Sequence, residues 1–186
     1  HLAGIKAGDT VLDICSAPGG KTLHAADLLH GTGRVEARDL TEYKISLVEQ
    51  NLLRCGFSNV ETKVWDARVF DPQMEEGADV VLADLPCSGL GIIGKKPDIR
   101  LRLKEADLKE LAALQREILS VASRYVKPGG TLLYSTCTVD RAENEENAAW
   151  ILEALPFHKK DIAGRLPEAL RKDCRENQIQ LLPGIH

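Results

Sequence analysis

Short apolar runs alternate with segments of helical periodicity along the chain. Runs rich in β-branched and aliphatic residues predict strands at residues 10–15, 34–37, 60–64, 78–83, 131–135 and 156–162. Other segments repeat apolar residues every three or four positions and predict helices at residues 21–29, 43–54, 108–126 and 141–155. This alternation predicts an α/β fold, with a largely parallel sheet and helices on both faces.

The composition is that of an ordinary globular domain. The 186 residues are 44% hydrophobic and carry a formal net charge of −4. We therefore expect one domain over residues 1–186, and because the chain does not begin with Met we expect it to be part of a longer protein. No apolar run reaches the ~20 residues that a transmembrane helix needs. The five cysteines include no C-x-x-C pair, which predicts no metal site and is typical of a reduced, cytoplasmic protein.

The loop after the first predicted strand has the character of a ligand-binding turn. It reads Cys15-Ser-Ala-Pro-Gly-Gly-Lys21, and paired glycines allow a ligand to approach the backbone closely. Neither G-x-x-x-x-G-K-[ST] nor G-x-G-x-x-G fits the sequence. The loop therefore suits a nucleoside-type ligand without a phosphate cradle, which disfavours a nicotinamide-dependent oxidoreductase. A plain tight turn is the structural alternative.

Two carboxylates follow the next two predicted strands. Asp39 lies about 20 residues beyond the glycine pair, a spacing at which a carboxylate can bind the hydroxyls of a ribose. Asp66 follows the third strand, where it could accept a hydrogen bond from an adenine amino group. Each aspartate alone is more often a loop or capping residue. Together with the glycine turn they predict an adenosine-containing ligand.

Two cysteines follow the fourth and fifth predicted strands. Cys87 lies in Asp84-Leu-Pro-Cys-Ser, and Cys137 lies in Ser135-Thr-Cys-Thr. Parallel strands present their carboxyl ends at one edge of the sheet, so we expect both thiols at the same crevice. Small buried hydrophobes are the alternative interpretation of both cysteines. Their loop positions favour partly exposed, reactive thiols instead.

A basic segment at residues 94–104 stands out on this acidic chain. It contains five basic residues and one acidic residue, and its candidate contacts to an RNA backbone are Lys95, Lys96, Arg100 and Arg102. An ordinary solvated charged surface is the alternative.

Taken together, the motifs resemble those of the NOL1/NOP2/Sun family of RNA cytosine-5 methyltransferases, in particular its bacterial members that act on 16S ribosomal RNA. The matching segments are residues 14–21, Asp39, residues 66–68, residues 84–88, residues 96–99 and residues 135–138. The resemblance implies a Rossmann-like, class I methyltransferase fold in which this chain lacks the last, antiparallel strand. It also implies S-adenosylmethionine as cofactor and ribosomal RNA as substrate. From the sequence itself we expect no membrane or metal partner, and we expect a monomer.

The resemblance also implies a role for each candidate residue. The loop that would cradle the cofactor comprises Cys15, Ser16, Ala17, Pro18, Gly19, Gly20 and Lys21. Asp39 would bind its ribose, Asp66 its adenine, and Asp84 would lie near its methionine moiety and the target base. Cys137 would be the nucleophile, and Cys87 would assist product release.

The implied chemistry explains these residue types. A thiolate that adds to C6 of cytosine activates C5 toward a methyl donor, Asp84 could act as an acid near N3, and Cys87 could remove the C5 proton. Two alternatives stay open: a transfer RNA methyltransferase of the same fold, and a non-catalytic RNA-binding module that retains the fold.

Overall fold

The computed structural model describes residues 1–185. The chain divides into two compact units. The sheet unit comprises Ala3–Leu85 and Glu117–Ser135, and the loop unit comprises His1–Leu2, Pro86–Arg116 and the chain from Thr136 onward. Within residues 1–185, no helix has both the length and the apolar character needed to cross a bilayer.

The sheet unit contains a five-stranded parallel sheet. Its strands are β1 (Thr10–Asp13), β2 (Arg34–Asp39), β3 (Val60–Val64), β4 (Ala78–Asp84) and β5 (Val126–Ser135). They lie in the order β3-β2-β1-β4-β5, so the direction of winding reverses between β1 and β4. In open α/β sheets, this reversal is where ligands bind.

Helices connect the strands, and local sequence determines where they end. The helices of the sheet unit are α1 (Gly20–Leu28) and α2 (Glu42–Cys55). Helix α2 begins where the Thr41 side chain accepts the Lys44 N–H, and it ends at Gly56, whose φ of 74° is left-handed. An apolar cluster lies beside β1, where Ala25 and Ala26 of α1 pack with Val11 and Val35.

A cluster of buried charged residues surrounds Arg38 in this unit. Arg38 of β2 is 2% exposed and forms ion pairs with Glu36 at 2.5 Å and Asp71 at 2.7 Å. Its guanidinium carbon lies 5.1 Å from the ring centroid of Trp65. The carboxylates and the ring together compensate the desolvation of the buried cation.

The loop unit is built mainly from short elements. These are α3 (Ile99–Arg102), a π-helical turn (Ala142–Glu146), α5 (Asn147–Ala154), α6 (Glu168–Arg171), and an antiparallel pair of strands, β6 (Cys174–Arg175) and β7 (Gln178–Ile179). Arg116 lies over the ring of Trp150, 5.6 Å from its centroid. The long helix α4 (Glu105–Ser123) includes residues of both units.

Four sequence predictions need correction. The helix predicted at 108–126 is α4, which ends at Ser123. Strand β5 begins at Val126 and continues through residues 128–130, because Gly129 adopts φ 78° at the register irregularity beside Ala78. The predicted strand at 156–162 is wrong. It contains no strand, because Pro156 lacks a backbone donor and residues 158–161 are consecutively polar. The helix predicted at 141–155 instead begins as the π-helical turn.

Candidate active site

The glycine loop after β1 is closed by its own backbone. The Gly19 N–H donates to the Ser16 carbonyl at 2.7 Å, and the Ser16 N–H donates to the Arg38 carbonyl at 2.9 Å. Gly19 adopts φ 109° at the N-cap of α1, a conformation that side chains disfavour. A Cβ on Gly20 would meet no atom within 4 Å. The loop therefore presents an open backbone surface at the start of a helix.

A cavity of about 250 Å³ lies beside this loop in the sheet unit. It is lined by Asp13, Cys15, Ser16, Ala17, Pro18, Gly20, Lys21 and Asp84. Six of the seven loop residues predicted from sequence thus line one cavity, together with Asp84. The seventh, Gly19, sets the start of the helix instead. Small-molecule sites usually enclose about 300–1,000 Å³, so this cavity suits one part of a nucleoside-sized ligand.

Two buried polar atoms in the cavity wall have no hydrogen-bond partner in the protein, Asp13 Oδ1 and Ser16 Oγ. Buried polar atoms are nearly always satisfied, so an unpaired pair at a cavity fits a polar ligand. Burial raises the pKa of Asp13 to about 6, and the nearby charge of Asp84 adds to this, while the hydroxyl of Thr22 opposes it from 2.7 Å. Asp13 was not predicted from the sequence, although a lone aspartate inside the apolar run of β1 is a visible signal.

Asp39 lies at the end of β2 and is 3% exposed. Its Oδ2 atom accepts the Ala17 N–H at 2.9 Å. Its Oδ1 atom accepts the Leu40 N–H at 2.8 Å and lies 2.9 Å from Lys44 Nζ. Asp39 therefore connects β2 to the glycine loop, as a residue at a shared site would.

Asp66 is placed differently. Both of its carboxylate oxygens are bound by Arg68, at 3.1 Å by Nε and at 2.7 Å by Nη2. The guanidinium of Arg68 lowers the pKa of Asp66. Asp66 is not among the described residues that line the cavity. Its contact with adenine therefore stays a prediction.

Asp84 ends β4 directly opposite Ser135, the last residue of β5. Lys21 Nζ lies 2.5 Å from its Oδ2 atom, and Ser135 Oγ donates to its Oδ1 atom at 2.7 Å. Both oxygens therefore accept hydrogen bonds. The predicted neighbours Lys21 and Asp84 form an ion pair at the cavity wall.

Cys15 is a structural residue of the glycine loop rather than a reactive thiol. Burial raises its pKa to about 12, and the charges of Asp39 and Asp13 contribute to this shift. Its sulfur is therefore a neutral part of the cavity wall at physiological pH.

The loop unit brings the two predicted catalytic cysteines into contact. The Cys87 and Cys137 Sγ atoms lie 3.0 Å apart, and the Cys137 N–H donates to Cys87 Sγ at 3.2 Å. Cys137 is exposed, whereas Cys87 is half-buried. The expectation that these two thiols lie together is therefore confirmed.

The environment of Cys87 keeps it protonated. Burial raises the pKa of its thiol to about 12, and the contact with Cys137 adds to this. At neutral pH, Cys87 is therefore a thiol that can donate a hydrogen bond. This suits a proton donor better than the resting base expected from the sequence.

A glycine permits the tight packing around Cys137. The Gly91 N–H donates to the Cys137 carbonyl at 3.1 Å. A Cβ on Gly91 would lie 2.8 Å from that carbonyl oxygen, closer than real Cβ atoms approach. Only glycine therefore fits there without moving Cys137.

Comparison with known proteins decides the family. The sequence model of the family described as 16S rRNA methyltransferase RsmB/F matches residues 2–186. The chain belongs to this RsmB/F family.

Similar proteins agree with that assignment. The chain is 40% identical over 181 residues to the probable ribosomal RNA small subunit methyltransferase B of Bacillus subtilis, a match that covers 96% of this chain and 40% of the relative. It is 39% identical over 182 residues to ribosomal RNA small subunit methyltransferase F of Escherichia coli, which covers 97% of this chain and 38% of the relative. The chain thus spans about two fifths of these relatives.

A solved structure bears on the cofactor. NSun6 from Pyrococcus horikoshii is 30% identical, with a TM-score of 0.73 over 86% of this chain and 42% of that chain. Its crystal contains SFG, an analogue of S-adenosylmethionine. The family resemblance and the Rossmann-like methyltransferase fold are confirmed, and S-adenosylmethionine is the cofactor of the homologues.

The basic segment in this RsmB/F member is exposed. Lys95, Lys96, Arg100 and Arg102 are all exposed, and Arg102 pairs with Asp98 at 2.9 Å. Their contact with RNA stays a prediction. Over residues 1–185, no cluster of three or more His, Cys, Asp or Glu side chains is arranged to hold a metal ion.

Proposed function

We propose that this chain carries out methyl transfer to C5 of a cytosine in 16S ribosomal RNA, through a covalent bond between Cys137 and C6 of the base. The observation that carries the proposal is the exposed Cys137 thiol in 3.0 Å contact with a second thiol, Cys87. Membership of the RsmB/F family supports the RNA substrate.

The cofactor site in the sheet unit fits an adenosine-containing ligand. S-adenosylmethionine, when bound, supplies the electrophilic methyl group that C5 attacks. The glycine loop would hold it through open backbone, and Asp39 would accept hydrogen bonds from the ribose hydroxyls. Ser16 Oγ and Asp13 Oδ1 are unpaired in the protein and can bind polar groups of the ligand.

Cytosine C5 alone is too weak a nucleophile to attack the methyl group. Cys137 therefore adds to C6 first, which activates C5. When the Cys137 sulfur bonds to C6, electron density moves to C5 and N3, and C5 becomes enamine-like. After methylation the C5 proton passes to a base, a role that solvent water can fill. The electron pair of the C5–H bond re-forms the C5–C6 double bond as the Sγ–C6 bond breaks and regenerates the Cys137 thiolate. The target base must be unstacked to reach such a thiol.

Cys87 assists the step in which this bond breaks. Its neutral S–H group lies close enough to donate a hydrogen bond to Cys137 Sγ. Such a donor stabilises the departing thiolate, because charge returns to the Cys137 sulfur as C6 is released. Loss of Cys87 should therefore slow release more than it slows addition.

The Lys21–Asp84 pair is proposed to interact with the base as charge builds on N3. Lys21 Nζ donates a hydrogen bond to Asp84 Oδ2 at 2.5 Å, and Ser135 Oγ donates to the other carboxylate oxygen of Asp84. A pre-oriented ion pair of this kind can stabilise developing charge without reorganising.

The test is adduct formation with RNA that contains 5-fluorocytosine, in the full-length protein with S-adenosylmethionine. Fluorine cannot leave as the C5 proton does, so the covalent complex should accumulate in the wild type and vanish in Cys137→Ala. With ordinary RNA, Cys87→Ala should accumulate the complex instead. Cys55→Ala, which replaces an exposed thiol, is the matched control.

Two results would contradict the proposal. One is normal turnover of Cys137→Ala. The other is an adduct whose mass maps to another cysteine. Offering transfer RNA and 16S ribosomal RNA side by side separates the two substrate classes.

A further inference from the structure

A single buried carboxylate supports the loop that carries Cys87. Glu143 is completely buried in the π-helical turn Ala142–Glu146. Its Oε2 atom accepts the Ser88 N–H at 3.0 Å and the Gln115 side-chain amide at 2.8 Å. Burying a carboxylate destabilises the fold unless hydrogen bonds compensate its lost hydration. The bonds from Ser88 and Gln115 supply that compensation.

Glu143 and its partner Gln115 together bind both sequence neighbours of Cys87, Ser88 and Pro86. The Gln115 amide that binds Glu143 also donates to the Pro86 carbonyl at 2.8 Å. Asn147 in turn donates to Gln115 Oε1 at 2.8 Å, which fixes the orientation of that amide. The residues before and after Cys87 are therefore both held by the Glu143–Gln115 pair.

A hydroxyl pair joins the two cysteine loops. Ser88 Oγ lies 2.7 Å from Thr138 Oγ1, and both side chains are buried. Ser88 follows Cys87, and Thr138 follows Cys137. The anchored Cys87 loop is thus connected directly to the Cys137 loop.

We infer that Glu143 is the positioning residue of the thiol pair, which fixes the Cys87 loop through Ser88 and Gln115 and thereby sets the contact between the Cys87 and Cys137 sulfur atoms. Glu143 acts through these two neighbours and not on the reacting atoms. The positioning role concerns the geometry of the two thiols, and only its effect on methyl transfer rests on the proposed function.

The test measures thiol proximity without RNA or cofactor. Dibromobimane joins two neighbouring thiols and fluoresces once both have reacted, and mass spectrometry identifies the Cys87–Cys137 cross-link. Glu143→Ala should lower the cross-linking rate about tenfold, the order expected when a charge-assisted hydrogen bond no longer holds the reactive arrangement. Glu143→Gln should lose less, because its amide oxygen still accepts one donor. Glu146→Ala removes an exposed acid from the same turn and should match the wild type.

Circular dichroism and thermal melting establish which variants are folded. If Glu143→Ala does not fold, Glu143→Gln carries the test, because it preserves the side-chain shape. Wild-type cross-linking in every folded Glu143 variant would overturn the inference. The two proposals can also fail separately. If the Glu143 variants cross-link more slowly but the wild type forms no adduct on 5-fluorocytosine RNA, the positioning role is supported and the proposed function is contradicted.

Discussion

The Asp39 carboxylate accepts the Ala17 N–H at 2.9 Å, so the residue expected to bind ribose also holds the glycine loop. The two duties are joined at one side chain, which is 3% exposed. Removing the carboxylate therefore takes away a ligand-binding group and also frees a loop backbone donor. A substitution at Asp39 should affect binding and stability together.

We expect Asp39→Ala to weaken S-adenosylmethionine binding by about 1–3 kcal/mol, because a charged hydrogen-bond acceptor is removed. Isothermal titration calorimetry of the full-length protein measures this, and urea unfolding measures the accompanying loss of stability. Asp27→Ala, an exposed aspartate in α1, should change neither value. Unchanged affinity in Asp39→Ala would remove Asp39 from the ligand site.

Asp13 makes stability depend on pH. Its pKa is raised from 3.8 to about 6 in the folded protein, so below pH 4 it is protonated in both the folded and unfolded states and costs nothing. Between pH 4 and pH 6 the unfolded state ionises first, and the folded state loses stability as the pH rises. Asp13→Asn should therefore be more stable than wild type at pH 7, by on the order of 3 kcal/mol, and nearly equal at pH 4.

Urea unfolding at the two pH values checks the prediction for Asp13. Asp27→Asn serves as the control, because Asp27 is an exposed aspartate of the neighbouring helix. A stability difference for Asp13→Asn that does not grow with pH would mean that Asp13 is not a desolvated carboxylate.

Cys87 should react slowly with alkylating reagents. Burial and the contact with Cys137 raise its pKa to about 12, so far less of it is thiolate at pH 8 than of an ordinary thiol. Iodoacetamide at pH 8 should therefore modify exposed Cys55 long before Cys87, as peptide mass spectrometry would show. Cys137→Ala should accelerate the Cys87 reaction, because the Cys137 contact contributes to the raised pKa. A slower Cys87 reaction in that variant would contradict this cause.

Gly91→Ala should disturb the position of Cys137. The new Cβ would meet the Cys137 carbonyl oxygen at 2.8 Å, so the loop must shift, at a cost of about 1–3 kcal/mol in stability. The rate of adduct formation with 5-fluorocytosine RNA should fall with it. Gly94→Ala is a close control, since its Cβ would meet no atom within 4 Å. Equal adduct rates for the two variants would show that Gly91 is not needed for packing.

The exposed basic segment should contribute sequence-independent affinity for RNA. Lys95→Ala with Lys96→Ala should weaken RNA binding and reduce the slope of log affinity against log salt by about 0.7–0.9 for each phosphate that is no longer neutralised. Fluorescence anisotropy over a range of salt concentrations measures the slope. Lys109→Ala, which replaces an exposed lysine of α4, should leave it unchanged. An unaltered slope in the double variant would make the segment an ordinary solvated surface.

Local signals made much of this molecule predictable. Strands and glycine turns are encoded by residues that are adjacent in the chain. The sheet strands and the loop from Cys15 to Lys21 were therefore predictable from the sequence. Asp13 was not predicted although it is a lone aspartate in the apolar run of β1, because its place in the cavity wall follows only from the folded arrangement. Glu143 was missed because its partner Ser88 is 55 residues away in the chain. The strand predicted at 156–162 was wrong. The apolar residues at its ends suggested a strand, but a strand also needs a pairing partner, which a local pattern does not reveal.

The two arginine–tryptophan contacts give the molecule a built-in pair of optical reporters. The sequence has two tryptophans, Trp65 in the sheet unit and Trp150 in the loop unit, and each lies beneath a guanidinium group. Replacing either one by phenylalanine leaves a protein whose tryptophan fluorescence comes from a single unit. The unfolding of each unit can then be followed separately within the intact chain, without any added label.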